Sequence, residues 1–164
     1  MATPTSLPAT FVAGNVLTAA QMNDLRGAFR ILQVVRATDS TNRSTTSGSL
    51  VDASISVTIT PTSASNDVLL IWSSRVAAAG GNPEVGQLAI TDSSNVGISG
   101  AESCHFGNGS TDDTYNTMVL VGFDSPATTS ATTYKGRFGA FAPATVTIQN
   151  SNNTGQLIAM EISA

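Results

Sequence analysis

Ser54-Ile55-Ser56-Val57-Thr58-Ile59-Thr60 alternates polar and apolar residues without a break. In an extended chain successive side chains point to opposite faces, so Ile55, Val57 and Ile59 share one face and the hydroxyls share the other. Val, Ile and Thr are β-branched and fit a pleated, half-buried surface. Pro61 lacks the N–H that would continue the ladder, and the polar run from Thr62 to Asp67 turns the chain. This stretch is a strand with one face in a core and the other toward water.

The same period runs through the chain on either side of it. Ile31 to Ala37 opens the pattern, and Asp39 to Gly48 reads as a polar loop. After the turn, Val68-Leu69-Leu70-Ile71-Trp72 is apolar at every position, and Ala77 to Pro83 reads as a flexible break. Val85, Leu88 and Ile90 lead through the turn Asp92 to Asn95 into Val96 and Ile98, as in a hairpin. Residues 99–113 read as a long polar stretch. Thr117 to Phe123 is a second fully apolar strand. Thr132 to Phe141 follows, with Tyr134, Phe138 and Ala140 on its core face. Thr145 to Gln149 and Leu157 to Ile162 close the pattern around the turn Asn150 to Gly155. About eight strands at regular spacing, without an internal repeat, predict an antiparallel β-sandwich or jelly roll over residues 31–164.

Two of these strands ask for more than a sandwich supplies. Val68–Trp72 and Met118–Phe123 are apolar on both faces, whereas a two-layer sandwich covers one face of each sheet. The outward-facing set, Leu69, Ile71, Val119 and Val121, therefore reads as a subunit interface.

Residues 1–30 read differently. The first sixteen are rich in Thr, Pro, Ala and Gly, with Pro4 and Pro8 opposing helix, and form an extended arm too poor in apolar residues to fold alone. Thr18-Ala19-Ala20-Gln21-Met22 is a helix start: the Thr18 hydroxyl caps the first free N–H groups, Gln21 reaches back to the Thr18 N–H, and Leu17 with Met22 has the spacing of a hydrophobic staple. The helix is predicted over 19–30, with Met22, Leu25, Ala28, Phe29 and Leu32 on one apolar stripe. So short a helix is marginal alone in water and needs a surface to pack on. Leu17, Thr18, Gln21, Met22, Leu25 and Phe29 are the expected attachment and assembly residues.

Composition narrows the function. Of 164 residues only 11% are charged, against a typical value of about 25%, while 41% are hydrophobic. Ser and Thr make up roughly a quarter of the chain, giving an uncharged polar surface suited to protein or glycan contacts. The net charge of −4 and the scattered basic residues argue against nucleic acid, which needs clustered Lys and Arg. Lys135 and Arg137 are the one basic pair on a strand face. No run approaches the ~20 apolar residues of a membrane helix, and the N-terminus has no basic start followed by an apolar run. The expectation is a protein made in a cytoplasm, soluble until it assembles, with no membrane partner.

Catalytic chemistry is thinly represented. His105 is the sole histidine and Cys104 the sole cysteine; adjacent in an extended strand, they point to opposite faces. One Cys with one His is a poor basis for zinc, and no intrachain disulfide can form. Three copies of His105 at a trimer axis would offer an ion site, against the plainer reading of an exposed loop histidine. Asp112 and Asp113, with Asp92 and Asp124, carry calcium-type oxygens at a spacing that matches no known calcium loop. Glu84, Glu102 and Glu161 stand apart in sequence, so an acid pair for glycoside hydrolysis would have to be assembled by the fold. Nucleophile-elbow and phosphate-loop motifs are absent. No cofactor and no catalytic residue is assigned, and a wall-degrading hydrolase acting through Glu102 or His105 is the weaker reading.

The opening Phe11-Val12-Ala13-Gly14-Asn15-Val16-Leu17-Thr18-Ala19-Ala20-Gln21-Met22-Asn23 resembles a start common in structural proteins of tailed bacteriophages. Thr45 to Asp52, Ser54 to Pro61 and Asn66 to Trp72 resemble in order the loop, strand, turn and apolar strand of small phage fibre and head-decoration domains, and Leu157 to Ile162 resembles their ending. In pattern the likeness covers most of the chain. It implies a trimeric sandwich akin to tumour-necrosis-factor-like jelly rolls, displayed on a virion and held by its N-terminus to other capsid or tail proteins. A tail-fibre tip touching a host surface glycan, through the loops at 39–49 and 99–113, is the alternative within that class. The resemblance transfers no catalytic or binding residues.

Overall fold

The computed structural model describes residues 31–81, 84–108, 113–141 and 143–163, together with Gly14, Val16, Thr18 and Ala19. The expected N-terminal helix, and with it Leu17, Gln21, Met22, Leu25 and Phe29, lies outside the described residues; Thr18 is described and exposed. Within these bounds the protein is a two-layer antiparallel β-sandwich of ten strands. They are β1 (Ile31–Asp39), β2 (Arg43–Thr45), β3 (Val51–Ile59), β4 (Asp67–Ala79), β5 (Glu84–Thr91), β6 (Cys104–Asn108), β7 (Thr114–Asp124), β8 (Thr132–Phe141), β9 (Thr145–Ile148) and β10 (Gly155–Ile162).

One sheet is built on β4, the longest strand. Its first half pairs with β10 and its second half with β9, both on the same side, while β7 pairs along the other side. β1 lies beyond β10, and β2 beyond β9. This sheet is therefore four lanes wide, in the order β1, β10, β4, β7. The second sheet has the order β3, β8, β5, β6. The chain changes sheet at most of its connections; β1–β2, β5–β6 and β9–β10 stay within one.

Alternation sets the core. Ile55, Val57 and Ile59 are buried while Ser54, Ser56 and Thr58 are exposed. Val68, Leu70 and Trp72 from β4 face Tyr134 and Phe138 from β8, Leu88 and Ile90 from β5 and Leu157 and Ala159 from β10 in one cluster. Two glycines keep the layers close. A Cβ on Gly136 would stand 2.7 Å from Ile55 Cγ2 and 3.0 Å from Trp72 Cζ2, and one on Gly86 would stand 2.6 Å from Val146 Cγ2 of the facing sheet. Real Cβ atoms do not approach neighbours so closely, so these positions take no larger residue without repacking.

Four segments differ from the expectation. The break expected from Ala77 is strand: Ala77 and Ala78 are buried, and β4 runs on to Ala79 because β7 and β9 pair on both its sides there. The loop expected from Asp39 to Gly48 contains β2, joined to β9 through Arg43↔Ile148, with Ser44 Oγ 2.7 Å from Thr147 Oγ1. The polar stretch 99–113 contains β6, which pairs with β5 from Leu88↔Cys104 to Glu84↔Asn108. The hairpin expected at Asp92 to Asn95 shrinks to a tight turn with one bridge, Thr91↔Gly97, because the chain then folds in so that Ile98 N–H bonds Ile90 O and Ile90 N–H bonds Ala101 O.

Polar pegs close the sandwich. Glu161, fully buried at the end of β10, accepts hydrogen bonds from Thr62 N–H (2.6 Å), the Thr62 hydroxyl (2.8 Å), Asn66 Nδ2 (2.6 Å) and Gln33 Nε2 (2.7 Å). Burial alone would push its carboxyl up. The donors from Asn66, Gln33 and Thr62 outweigh that and hold it at about 2. Farther along the sandwich Asn150, also buried, donates to Asp39 Oδ2 at 2.8 Å and accepts from the Ser74 hydroxyl at 2.8 Å, while Arg43 forms a salt bridge to Asp39. There too burial opposes the charge, and the bonds from Arg43, Asn150 and the Thr41 N–H keep the Asp39 carboxyl below its ordinary value.

Candidate assembly surface

The two outer faces of the sandwich differ in chemistry. On the β3-β8-β5-β6 sheet the exterior is polar. β3 presents Asp52, Ser54, Ser56 and Thr58, and Thr58 shares a hydroxyl hydrogen bond of 2.8 Å with Thr133. Beside them Lys135 Nζ donates to Ser93 O at 2.8 Å, and Arg137 donates to Asn95 Oδ1, so the basic pair braces the 92–96 turn.

On the β1-β10-β4-β7 sheet the exterior is apolar over one end. Register places Val34, Met160, Leu69 and Phe123 side by side across all four lanes. The next outward row is Arg36, Ile158, Ile71 and Val121. Ile31 and Ile162 flank these rows where the chain enters β1. Leu69, Ile71, Ile158, Met160 and Ile162 are half-buried by their neighbours. On the flanking strands Val34 is 58% exposed, Val119 58%, Val121 51% and Phe123 45%. The third row, Thr38, Gln156, Ser73 and Val119, begins the change to polar residues, and Arg75 and Thr117 complete it. Scattered apolar residues are ordinary on a surface; a contiguous apolar patch over one end of a sheet is a candidate contact site.

Each expected interface residue lies on this outer face: Leu69 and Ile71 at its centre, Val119 and Val121 on its β7 side. Met160, Ile158, Ile162, Val34 and Phe123 extend it beyond the residues expected from the sequence. The apolar run Leu157 to Ile162, alternately buried and half-buried in β10, carries the same two-sided signature as Val68 to Trp72.

The candidate chemical residues stay dispersed. Cys104 and His105 face opposite sides of β6. Cys104 packs against the core, where burial, with the Glu102 charge, pushes its thiol up and away from the thiolate. His105 is exposed, with Nε2 3.0 Å from Ser103 Oγ and its ring edge-on to Phe141 at 5.0 Å. Ser103 Oγ also lies 3.1 Å from Gln87 Oε1, so this serine belongs to a surface hydrogen-bond chain. Asp92 caps its own turn through the N–H groups of Ser94 and Val96, both 2.8 Å away. Asp124 accepts the Tyr134 hydroxyl at 2.6 Å; burial and that bond push the tyrosine up. Glu84 is buried and takes the Gly81 N–H at 3.3 Å, Glu102 is exposed on a loop, and Glu161 is the peg described above. Asp112 lies outside the described residues. Among the described residues no three His, Cys, Asp or Glu side chains gather as a metal site, and no helix is long and apolar enough to cross a membrane.

No protein-family model matches the chain, and no curated protein matches it. Among solved structures it is similar to a mutant VP2 protein of infectious bursal disease virus in derived T=1 particles, with a TM-score of 0.38 and 16% identity. The match covers 80% of this chain and 36% of that one, so the chain spans about a third of that protein's length.

Proposed function

We propose that this chain is a structural component of a virus particle, of the tailed-bacteriophage kind that its opening residues resemble. In this reading it forms a homotrimer, is held to other virion proteins through residues 1–30, and projects its sandwich outward as a decoration or fibre domain. The observation that carries the proposal is the one-sided surface: two rows of side chains centred on Leu69 and Ile71, apolar except for Arg36 on β1, opposite a sheet whose β3 exterior is Ser, Thr and Asp. A face of that kind is stable in water once another surface covers it. The lane orders β1-β10-β4-β7 and β3-β8-β5-β6 support the reading further, since eight lanes linked this way make a jelly roll, an architecture used by viral capsid and lectin domains. No enzymatic role is proposed.

The polar sheet favours a second reading of its outer end. There the exposed His105 packs against Phe141 beside Gln87 and Ser103, offering an aromatic and several hydrogen-bonding groups to a host glycan, as a tail-fibre tip would. Electron cryo-microscopy of intact particles separates the two locations, and light scattering of the purified chain gives its mass. Three-fold density on the capsid, with a trimeric mass, is the expected outcome. A monomeric mass together with absence from purified particles overturns the proposal.

A further inference from the structure

β7 is an edge strand, and it is unlike the other edges of the sandwich. β3 carries Asp52 and breaks register between Asp52 and Ser56, with Ser54 at a φ of +55°. β6 has five residues and is bent at Gly107, where φ is +131°. β1 bears Arg36 and Asp39. Charges, bulges and shortness are the usual means by which a sheet edge is kept from pairing. β7 has none of them from Thr114 to Phe123: ten residues in unbroken register with β4, without a charge or a proline.

Its hydrogen-bonding groups can be assigned. Phe123 N–H donates to Ser99 O, so Phe123 points away from β4. Arg75 O accepts from Gln149 N–H on the side of β4 away from β7, so Arg75 and its partner Thr117 do not bond each other. In an antiparallel ladder the direction alternates, and Tyr115, Thr117, Val119 and Val121 all turn their N–H and C=O groups outward. Val121 O already faces Gly100. Among the described residues no backbone partner meets Tyr115, Thr117 and Val119, and these three form an open edge.

We propose that this edge pairs with the same edge of a second copy of the chain, antiparallel and centred on Thr117. The register is self-complementary. Thr117 faces Thr117, and each Tyr115 faces the partner's Val119. Threonine pairs and aromatic–β-branched pairs are favourable across strands. A two-fold axis through Thr117 satisfies three N–H and three C=O groups on each chain, and no like charges meet because none are present. The pairing continues the four-lane sheet into a second copy and runs the two apolar faces together. It is independent of the trimer proposed above: it uses the edge of the sheet, and a two-fold contact joins one trimer to the next as readily as it joins two monomers.

Cross-linking tests the register. In a Cys104→Ser background, Thr117→Cys places two thiols opposite each other at the axis, where directly paired Cα atoms stand about 5.5 Å apart, within the reach of a disulfide. Tyr115→Cys places its two thiols four residues out of register. Mild oxidation of the full-length chain should link Thr117→Cys rapidly into covalent dimers and leave Tyr115→Cys unlinked. Thr117→Pro removes an outward N–H without touching the β4 ladder and should abolish the pairing in sedimentation. Equal cross-linking of the two cysteine variants, or none in either, overturns the proposal. Cross-linking of Thr117→Cys stands even if Leu69→Asp leaves the mass of the protein unchanged, so the edge and the apolar face are judged separately.

Discussion

Thr62 and Glu161 lie 99 residues apart in sequence, and the carboxylate of the second takes both the backbone N–H and the hydroxyl of the first, at 2.6 and 2.8 Å. The bond pins the β3–β4 turn to the last strand. Gln33 Nε2 adds β1 to the same junction by bonding Glu161 Oε2 at 2.7 Å and Thr60 O at 2.7 Å. Among the described residues the partners of this buried carboxylate are neutral donors, and they offset the cost of burying its charge.

That junction makes stability depend on pH. The Glu161 carboxyl is held at about 2 against an ordinary 4.5, so the folded state binds its proton less readily than the unfolded state. For a depressed acid the contribution is complete above the unfolded value and is lost as pH falls through the folded one. The window is therefore from about 4.5 down to about 2. The loss is on the order of 3 kcal/mol at ~1.4 kcal/mol per pH unit. Urea denaturation across that range should show wild-type stability falling while Glu161→Gln is flatter, and the variant should be about 1–3 kcal/mol weaker at neutral pH. Parallel curves would remove Glu161 from the account.

Gly136 sits where Ile55 and Trp72 meet across the layers. Gly136→Ala would drive a methyl into side chains 2.7 and 3.0 Å away. Overpacking of this kind costs about 1–3 kcal/mol. The expected result is a lower urea midpoint with an unchanged slope and a native circular dichroism spectrum. A variant as stable as wild type would mean that Ile55 moves aside at no cost.

Local pattern made much of this fold legible. Ile55, Val57 and Ile59 on β3, and Tyr134, Phe138 and Ala140 on β8, face inward as the period of two requires. The short strands were hidden for physical reasons. β6 is five residues long and contains His105 and Gly107, which break the apolar alternation, and its pairing comes wholly from β5. Leu69, Ile71, Val119 and Val121 announced the outer face because each sits in a run with no polar alternation. The width of that face, from Val34 through Met160 to Phe123, depends on register between strands far apart in sequence, which no local window contains. The partners of Glu161 were hidden in the same way.

Deleting residues 1–16 should leave the sandwich folded. The described core begins with Ala53 and ends with Ala159, and the earliest side chain packed against it is Val35. The truncated chain is expected to keep its β-sheet spectrum and its unfolding free energy within about 0.5 kcal/mol, the range of changes remote from a core, while losing incorporation into the proposed particles. Loss of the β spectrum would make the arm part of the fold; full incorporation would move attachment elsewhere.

The outer apolar face yields the strongest test of assembly. Leu69 pairs with Phe123 on one side and Met160 on the other, and Val119 lies beside Ser73 at the margin of the same patch. None of these four side chains is needed inside the sandwich, because Val68, Leu70, Trp72 and Leu120 fill it from the opposite faces of the same strands. Aspartate at an outward position therefore leaves the core intact. If a neighbouring copy covers the face, the new carboxylate is buried without a partner, which costs several kcal/mol. Leu69→Asp, nearest the centre, should shift the protein from the proposed trimer to monomer in sedimentation with its β-content kept. Val119→Asp, at the margin, should do so less completely. The gradient from centre to margin is what distinguishes a covered face from a general loss of solubility, which would follow either change equally. Two variants that remain trimeric and as stable as wild type would show that this face is open to water in the assembly.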